Sequence, residues 1–251
     1  MVKIKQEFKL LLLLLGFALY ATFLINFTYA VPTGAGLTNI STETYAVSPQ
    51  SRQDRGGTIT TITLSANQQD SAWKAYVGNI SGKMVLKNSG GWSIYEWNMN
   101  STSLTGSVFV TRAGTVTWTS IRCANSTFVD SEQTFFGMNT VDSDSINKTF
   151  NYTTHKSMTI SGVGAISSST CLSTATYVNG TAQAVAETST FQEILLTDTT
   201  NLVYGTFIDK NAIGYNNNLT ENLTHDFQLL VAENSSSAIG TVYYFYADIS
   251  G

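Results

Sequence analysis

Charge is the first shortage in this chain. Asp, Glu, Lys and Arg make up 12% of its 251 residues, about half of what soluble domains usually carry. After residue 30 there are ten basic and sixteen acidic side chains, a net charge of −6. Nucleic acid is therefore not expected as a partner, because its phosphates would find little to neutralise them. His155, His225, Cys123 and Cys171 are the only histidines and cysteines. Two Cys and two distant His are too few for the usual zinc sites. Neither H-E-x-x-H nor G-x-S-x-G occurs, and no cofactor is expected. No unit of 20–50 residues repeats. No strand–helix–strand rhythm appears, which argues against a parallel sheet.

Only one long apolar run is present. Residues 10–25 follow Lys3, Lys5 and Lys9 and end near Thr28-Tyr29-Ala30. This is the order of a secretory signal, which assigns residues 1–30 to a signal peptide and makes Val31 the first residue of the exported chain. An uncleaved anchor is the alternative, since the run sits at the short edge of what spans a bilayer. The basic flank leaves the remainder outside in both cases. No cleavage site precedes Leu10, so a pilin with a helical core is not expected.

Proline is confined to Pro32 and Pro49. Both fall in residues 31–57, with several glycines and the polar run SPQSRQDRGG. This stretch is expected to be an extended arm. Its short alternation around Tyr45 and Val47 makes it a candidate donor strand. From residue 58 onward the texture is β. Residues 58–64 (TITTITL) alternate with period two and are β-branched. Further strands are expected at 73–77, 82–86, 94–99, 107–112, 115–121, 157–160, 175–178, 191–196, 203–208, 226–231 and 241–249. Ala113-Gly114 reads as a hairpin turn between 107–112 and 115–121. The stretch DSEQTFFGM reads as a helical turn capped by Asp130 or Ser131. Residues 58–251 are thus expected to form one all-β domain, an antiparallel β-sandwich or jelly roll. In the last strand Tyr243 and Phe245 share one face, and Tyr244 and Tyr246 share the other. A terminal strand apolar on both faces is central in a sheet or covered by a partner, so Tyr243 and Phe245 are assembly candidates.

Ten of the eighteen asparagines after residue 30 begin an Asn-x-Ser/Thr sequon: Asn39, Asn79, Asn100, Asn125, Asn147, Asn151, Asn179, Asn218, Asn222 and Asn234. Ser and Thr are 61 of those 221 residues, so composition alone would give about five sequons. The excess points to true glycan acceptors on an exported surface. In that setting the even cysteine count suggests a Cys123–Cys171 disulfide rather than two buried thiols.

The blocks WKAYVGNISGKMVLKN, IYEW, SVFVTR, WTSIRC, DSINKTF, TYVNG, FQEILLTD, LVYGTFI, DFQLLVAEN and TVYYFYADI occur in this order. As a set they resemble a family of exported archaeal cell-surface β-proteins over residues 72–249. Cys123, Cys171, Trp118 and Asn179 fall in matching blocks. The resemblance implies an envelope setting and no particular activity. A looser likeness, of architecture only, is to filament subunits whose amino-terminal arm completes the next subunit's sheet.

Candidate chemistry is sparse. His155 and His225 lie among Thr and Asn and read as surface imidazoles. Glu96, Glu187, Glu193 and Asp198 are the carboxylates from which a glycosidase pair would have to be drawn. Asp142 and Asp144 have the spacing of two calcium ligands, with Asp130 as a third, but lack the rest of a calcium loop; capping or turn duty is the alternative. The aromatics Trp73, Trp92, Trp97 and Trp118 would stack on sugars if exposed and pack the core if not. The expected function is therefore structural: a surface subunit that associates with itself through sheet edges. A secreted glycan-binding adhesin is the alternative, with surface glycans as partners.

Overall fold

The computed structural model describes residues 30–46, 48–99, 103–215, 223–237 and 239–250. The expected signal peptide, apart from Ala30, lies outside these residues, as do Val47, Asn100, Asn218 and Asn222. The strands are β1 (Thr33–Gly34), β2 (Trp73–Gly78), β3 (Lys83–Lys87), β4 (Ser93–Asn98), β5 (Thr105–Thr111), β6 (Arg122–Cys123), β7 (Met158–Ile160), β8 (Gly164–Ile166), β9 (Ser173–Ala175), β10 (Gln192–Thr197), β11 (Leu202–Phe207), β12 (Ala212–Ile213), β13 (Thr224–His225), β14 (Phe227–Ala232) and β15 (Tyr244–Ser250). Two α-helices, α1 (Ser126–Phe136) and α2 (Ile146–Thr149), accompany them. Among the described residues no helix is long and apolar enough to cross a membrane.

The fold is all-β, antiparallel and sandwich-like. Its main sheet runs β1-β15-β5-β11-β10-β6, and β9 shares the outer edge of β10 with β6. Every residue of β10 and β11 is buried, the polar Gln192, Glu193, Thr197 and Thr206 included. One face of the sheet carries Val108, Val110, Leu195 and Tyr204. It is covered by Leu229 and Val231 of β14, Val129 and Phe136 of α1, and Ile146 and Phe150. The other face carries Phe109, Ile194, Leu196, Val203, Phe207 and Tyr246, covered by Trp118, Met158, Ile160 and Cys171. Each fully buried side chain of this size stabilises the fold by about 2–3 kcal/mol relative to exposure. The layer over the first face is a two-stranded ladder, β14 against β2, with α1 beside it.

Several expectations are corrected. Residues 115–121 do not form the second strand of a hairpin. The Thr117 N–H donates to Asp198 Oδ2 (3.3 Å), and Trp118–Ser120 is a 3-10 turn. That turn drops Trp118 onto Phe109 and Tyr246, with ring centroids 5.2 and 5.4 Å apart. Burying the indole outweighs the local β-propensity. The helical turn is a three-turn helix whose cap is Asn125: its side chain accepts from the Phe128 N–H, and left-handed Gly137 ends the helix. Arg112 holds α1 to β5 through two bonds to Glu132 (2.9 and 2.7 Å) and lies 3.6 Å over the Phe135 ring. Residues 58–64 form no ladder, and after β1 the next strand begins at Trp73. Gly106 (φ 128°) is where only glycine serves, since a Cβ there would overlap the Asp248 carbonyl.

Candidate assembly surface

Two parts of the chain are strand-competent and left open. The first is the arm. Thr33 and Gly34 pair with Ala247 and Tyr246 of β15, and the Ala35 N–H donates to the Phe245 carbonyl (2.9 Å). The amino-terminal segment thus already adds an edge strand to its own sheet. From there to residue 71 the described residues form no ladder, and every one of them is exposed. Tyr215 Oη donates to Glu43 (2.7 Å), and the Tyr45 N–H donates to Gln69 (2.8 Å). Tyr45, a donor-strand candidate, is exposed and lies in no strand. The apolar residues of 58–64 stand in solvent, Ile59 at 101% and Leu64 at 84% of full exposure.

The second part is the hairpin β3–β4. Asn88 builds its turn: its Oδ1 accepts from the N–H groups of Gly90 and Trp92 (3.0 and 2.9 Å). The register places Met84 opposite Trp97 and Leu86 opposite Tyr95. Residues directly opposite share a face, so these four make one apolar face, and all four are exposed. The other face carries Lys83 and Lys87, both paired with Glu96. Those two ammonium groups hold the Glu96 carboxyl below its ordinary value. The hairpin pairs with no other strand among the described residues. Two strands alone are marginal in water, so this face is a surface in want of a cover.

The other assembly candidates lie inside. Tyr243 is buried, and its hydroxyl donates to the Ala232 carbonyl (2.6 Å). Phe245 packs edge-on against Tyr76, 4.9 Å between centroids. The face assignment for the last strand holds, since Tyr243 and Phe245 join one core and Tyr246 the other. Within the chain they are covered by its own β2–β14 ladder. Tyr244 alone of the four is exposed.

Cys123 and Cys171 form the disulfide, with Cα atoms 4.9 Å apart. They close the joint where β6 and β9 meet along β10. His155 corrects its reading as a surface imidazole, because it is fully buried beside that joint. Its Nδ1–H donates to the Lys156 carbonyl (2.7 Å), and Nε2 accepts from the Thr170 and Cys171 N–H groups (3.0 and 2.9 Å). Only the buried loop's own backbone calls for this residue, which is why sequence pattern missed it. His225 is half-buried, with Nε2 against the Tyr215 carbonyl (3.0 Å).

Of the sequons, Asn39, Asn79, Asn125 and Asn151 are exposed, and Asn147, Asn179 and Asn234 are half-buried. Asp142 accepts from the Asn139 backbone and side-chain amides (3.1 and 3.2 Å), and the Asp144 carbonyl accepts from the Trp73 indole (2.6 Å). This is turn duty. Among the described residues no three His, Cys, Asp or Glu are grouped to hold a metal ion. The carboxylates Glu96, Glu187, Glu193 and Asp198 do not converge. Glu96 sits on the hairpin, Glu187 accepts from Ser169 (2.9 Å), Glu193 is sealed under β14, and Asp198 caps the β10–β11 turn. Comparison with protein-family models, with characterised proteins and with solved structures yields no match.

Proposed function

We propose that this chain is a structural protein of a cell exterior, a glycosylated subunit that associates with copies of itself by adding β-strands to sheet edges. The arm carries this reading: residues 33–35 pair with β15, and the described residues from there through 71 stand exposed and outside any ladder. Backbone hydrogen bonds give such a junction its affinity, and alternate side chains give it specificity. The basic, apolar leader and the sequon excess support export, and the disulfide suits an oxidising compartment. The resemblance to exported archaeal surface proteins supports the same setting. Negative-stain imaging and sedimentation of the full chain, recovered from its own envelope, test the proposal. Polymers are expected; a dispersed monomer at high concentration refutes it.

A second reading, a glycan-binding adhesin, rests on Trp92, Tyr95 and Trp97. All are exposed on one hairpin, and the Tyr95 and Trp97 rings lie 4.9 Å apart. It predicts saturable binding to oligosaccharides that is lost in Trp97→Ala, whereas the assembly reading predicts none.

A further inference from the structure

The roots of the arm and the root of the hairpin lie toward opposite ends of β15, while Glu43 of the arm is held by Tyr215. The arm leaves the main sheet at Ala35, beside Phe245, and the chain enters the β2–β14 ladder at Ala72, whose carbonyl accepts from the Glu233 N–H (2.7 Å). Glu233 also accepts from the Thr241 N–H (2.9 Å). Both roots therefore lie where β15 begins. The hairpin springs from the other end. The Ile80 N–H donates to Asp226 (2.8 Å), and Gly82 packs against Ile249, near the close of β15. The seven residues of β15 separate the two ends, a span of about 20 Å.

The two features also need what the other supplies. Residues 58–64 are uncharged, β-branched and without a ladder, a segment that pays the cost of exposing Ile59, Ile62 and Leu64 to water. Among the described residues the hairpin has no third strand, and its apolar face of Met84, Leu86, Tyr95 and Trp97 is exposed. Its charges pair with one another on the far face, so the face to be covered asks for an uncharged, extended, apolar occupant. The β15 edge is a poorer acceptor, because residues 33–35 already sit on it.

We propose that residues 58–64 of one copy add as a third strand to the β3–β4 hairpin of a second copy. This rests on the self-assembly reading above and names its junction. Ile62 and Leu64 have the same parity and fall on the apolar side with Leu86 and Tyr95. Donor and acceptor are different surfaces of the chain, so the contact is heterologous and repeats head to tail. Such contacts build open filaments rather than closed dimers.

Two double variants test it in the full chain, expressed with its leader. Ile62→Asp/Leu64→Asp spoils the donor and leaves the hairpin; Met84→Asp/Leu86→Asp spoils the acceptor and leaves the arm. All four positions are exposed, so circular dichroism and the thermal midpoint should match the unsubstituted chain. Each variant alone should require at least about a hundredfold higher concentration to assemble. Mixed one to one, they should form dimers and stop, because only one competent junction remains. Either variant polymerising like the unsubstituted chain overturns this junction and leaves the assembly reading intact. An unsubstituted chain that stays monomeric overturns both. Mixing Ile62→Cys copies with Tyr95→Cys copies should give disulfide-linked pairs. If a chain carrying both substitutions links within itself as a monomer, the strand is added in cis and the proposal fails.

Discussion

The root of the arm is fastened by a carboxylate, and acid should release it. Glu233 is buried. Burial alone would raise its pKa, but the Lys74 ammonium and the hydroxyl and N–H of Thr241 bind the ionised form. They hold its carboxyl at about 2 against an ordinary 4.5. A folded-state value below the unfolded one means that the stabilisation is complete above the unfolded pKa and disappears as pH falls through the folded one. The difference corresponds to about 3 kcal/mol at neutral pH, of which about 2 kcal/mol is gone by pH 3. Glu233→Gln should therefore unfold in urea with a stability about 3 kcal/mol lower at pH 7 and about 1 kcal/mol lower at pH 3. Asp198 and Asp226 are also held below their ordinary values, so the unsubstituted chain loses further stability in acid. Comparing the two proteins at each pH isolates Glu233. Equal losses between pH 7 and pH 3 in both proteins would refute the assignment.

Glu193 should behave in the opposite sense. It is sealed in the core, one oxygen accepting from the Leu230 N–H (2.8 Å) and the other without a partner. Burial pushes its carboxyl well above the ordinary value, so its contribution is present in acid and lost as pH rises. Glu193→Gln should raise the thermal midpoint at pH 8 and have little effect at pH 4. Replacing both cysteines with alanine opens a loop with a sequence separation of 48 and should cost about 4 kcal/mol in urea unfolding. His155→Ala strands the Thr170 and Cys171 N–H groups and should cost about 3 kcal/mol by the same assay. Glycopeptide mass spectrometry should find Asn39, Asn79, Asn125 and Asn151 occupied. Asn147, whose Nδ2 already donates to the Thr140 carbonyl (3.3 Å), should be the least occupied of the described sequons.

Where a strand meets its partners inside the domain, pattern located it well. β5, β10, β11 and β14 fall within a residue or two of their expected bounds, because unbroken or alternating apolar runs between turn residues leave few other ways to bury them. The parity of Tyr243, Phe245 and Tyr246 was legible for the same reason: period two is a property of the extended backbone itself. Pairing was not legible. β2 pairs with β14, about 150 residues on, and β3 with β4, and nothing in the local pattern of 73–77 and 82–86 indicates either pairing. Local turn chemistry says where a chain can reverse; which edge is free is decided by the whole sheet. Trp118 shows the converse. Its strand-like neighbours yield to an indole that reaches Phe109 only from a 3-10 turn.

The failures at the surface have a different cause. Residues 58–64 and the hairpin face both read as β, being uncharged, alternating and rich in β-branched, aromatic or other apolar side chains. What alternation cannot carry is the address of the partner. An apolar stripe in a sequence says only that some surface must cover it, and a monomer's fold satisfies that demand where it can. Tyr243 and Phe245 were satisfied at home, beneath β2 and β14. Ile59, Leu64, Leu86 and Tyr95 were not. A chain this poor in charge has few other means of keeping such stripes apart from those of its neighbours. On the proposed assembly, the residues left over once the domain has closed are the ones through which copies meet. Sequence alone could not separate them from the core, because before folding the two sets look alike.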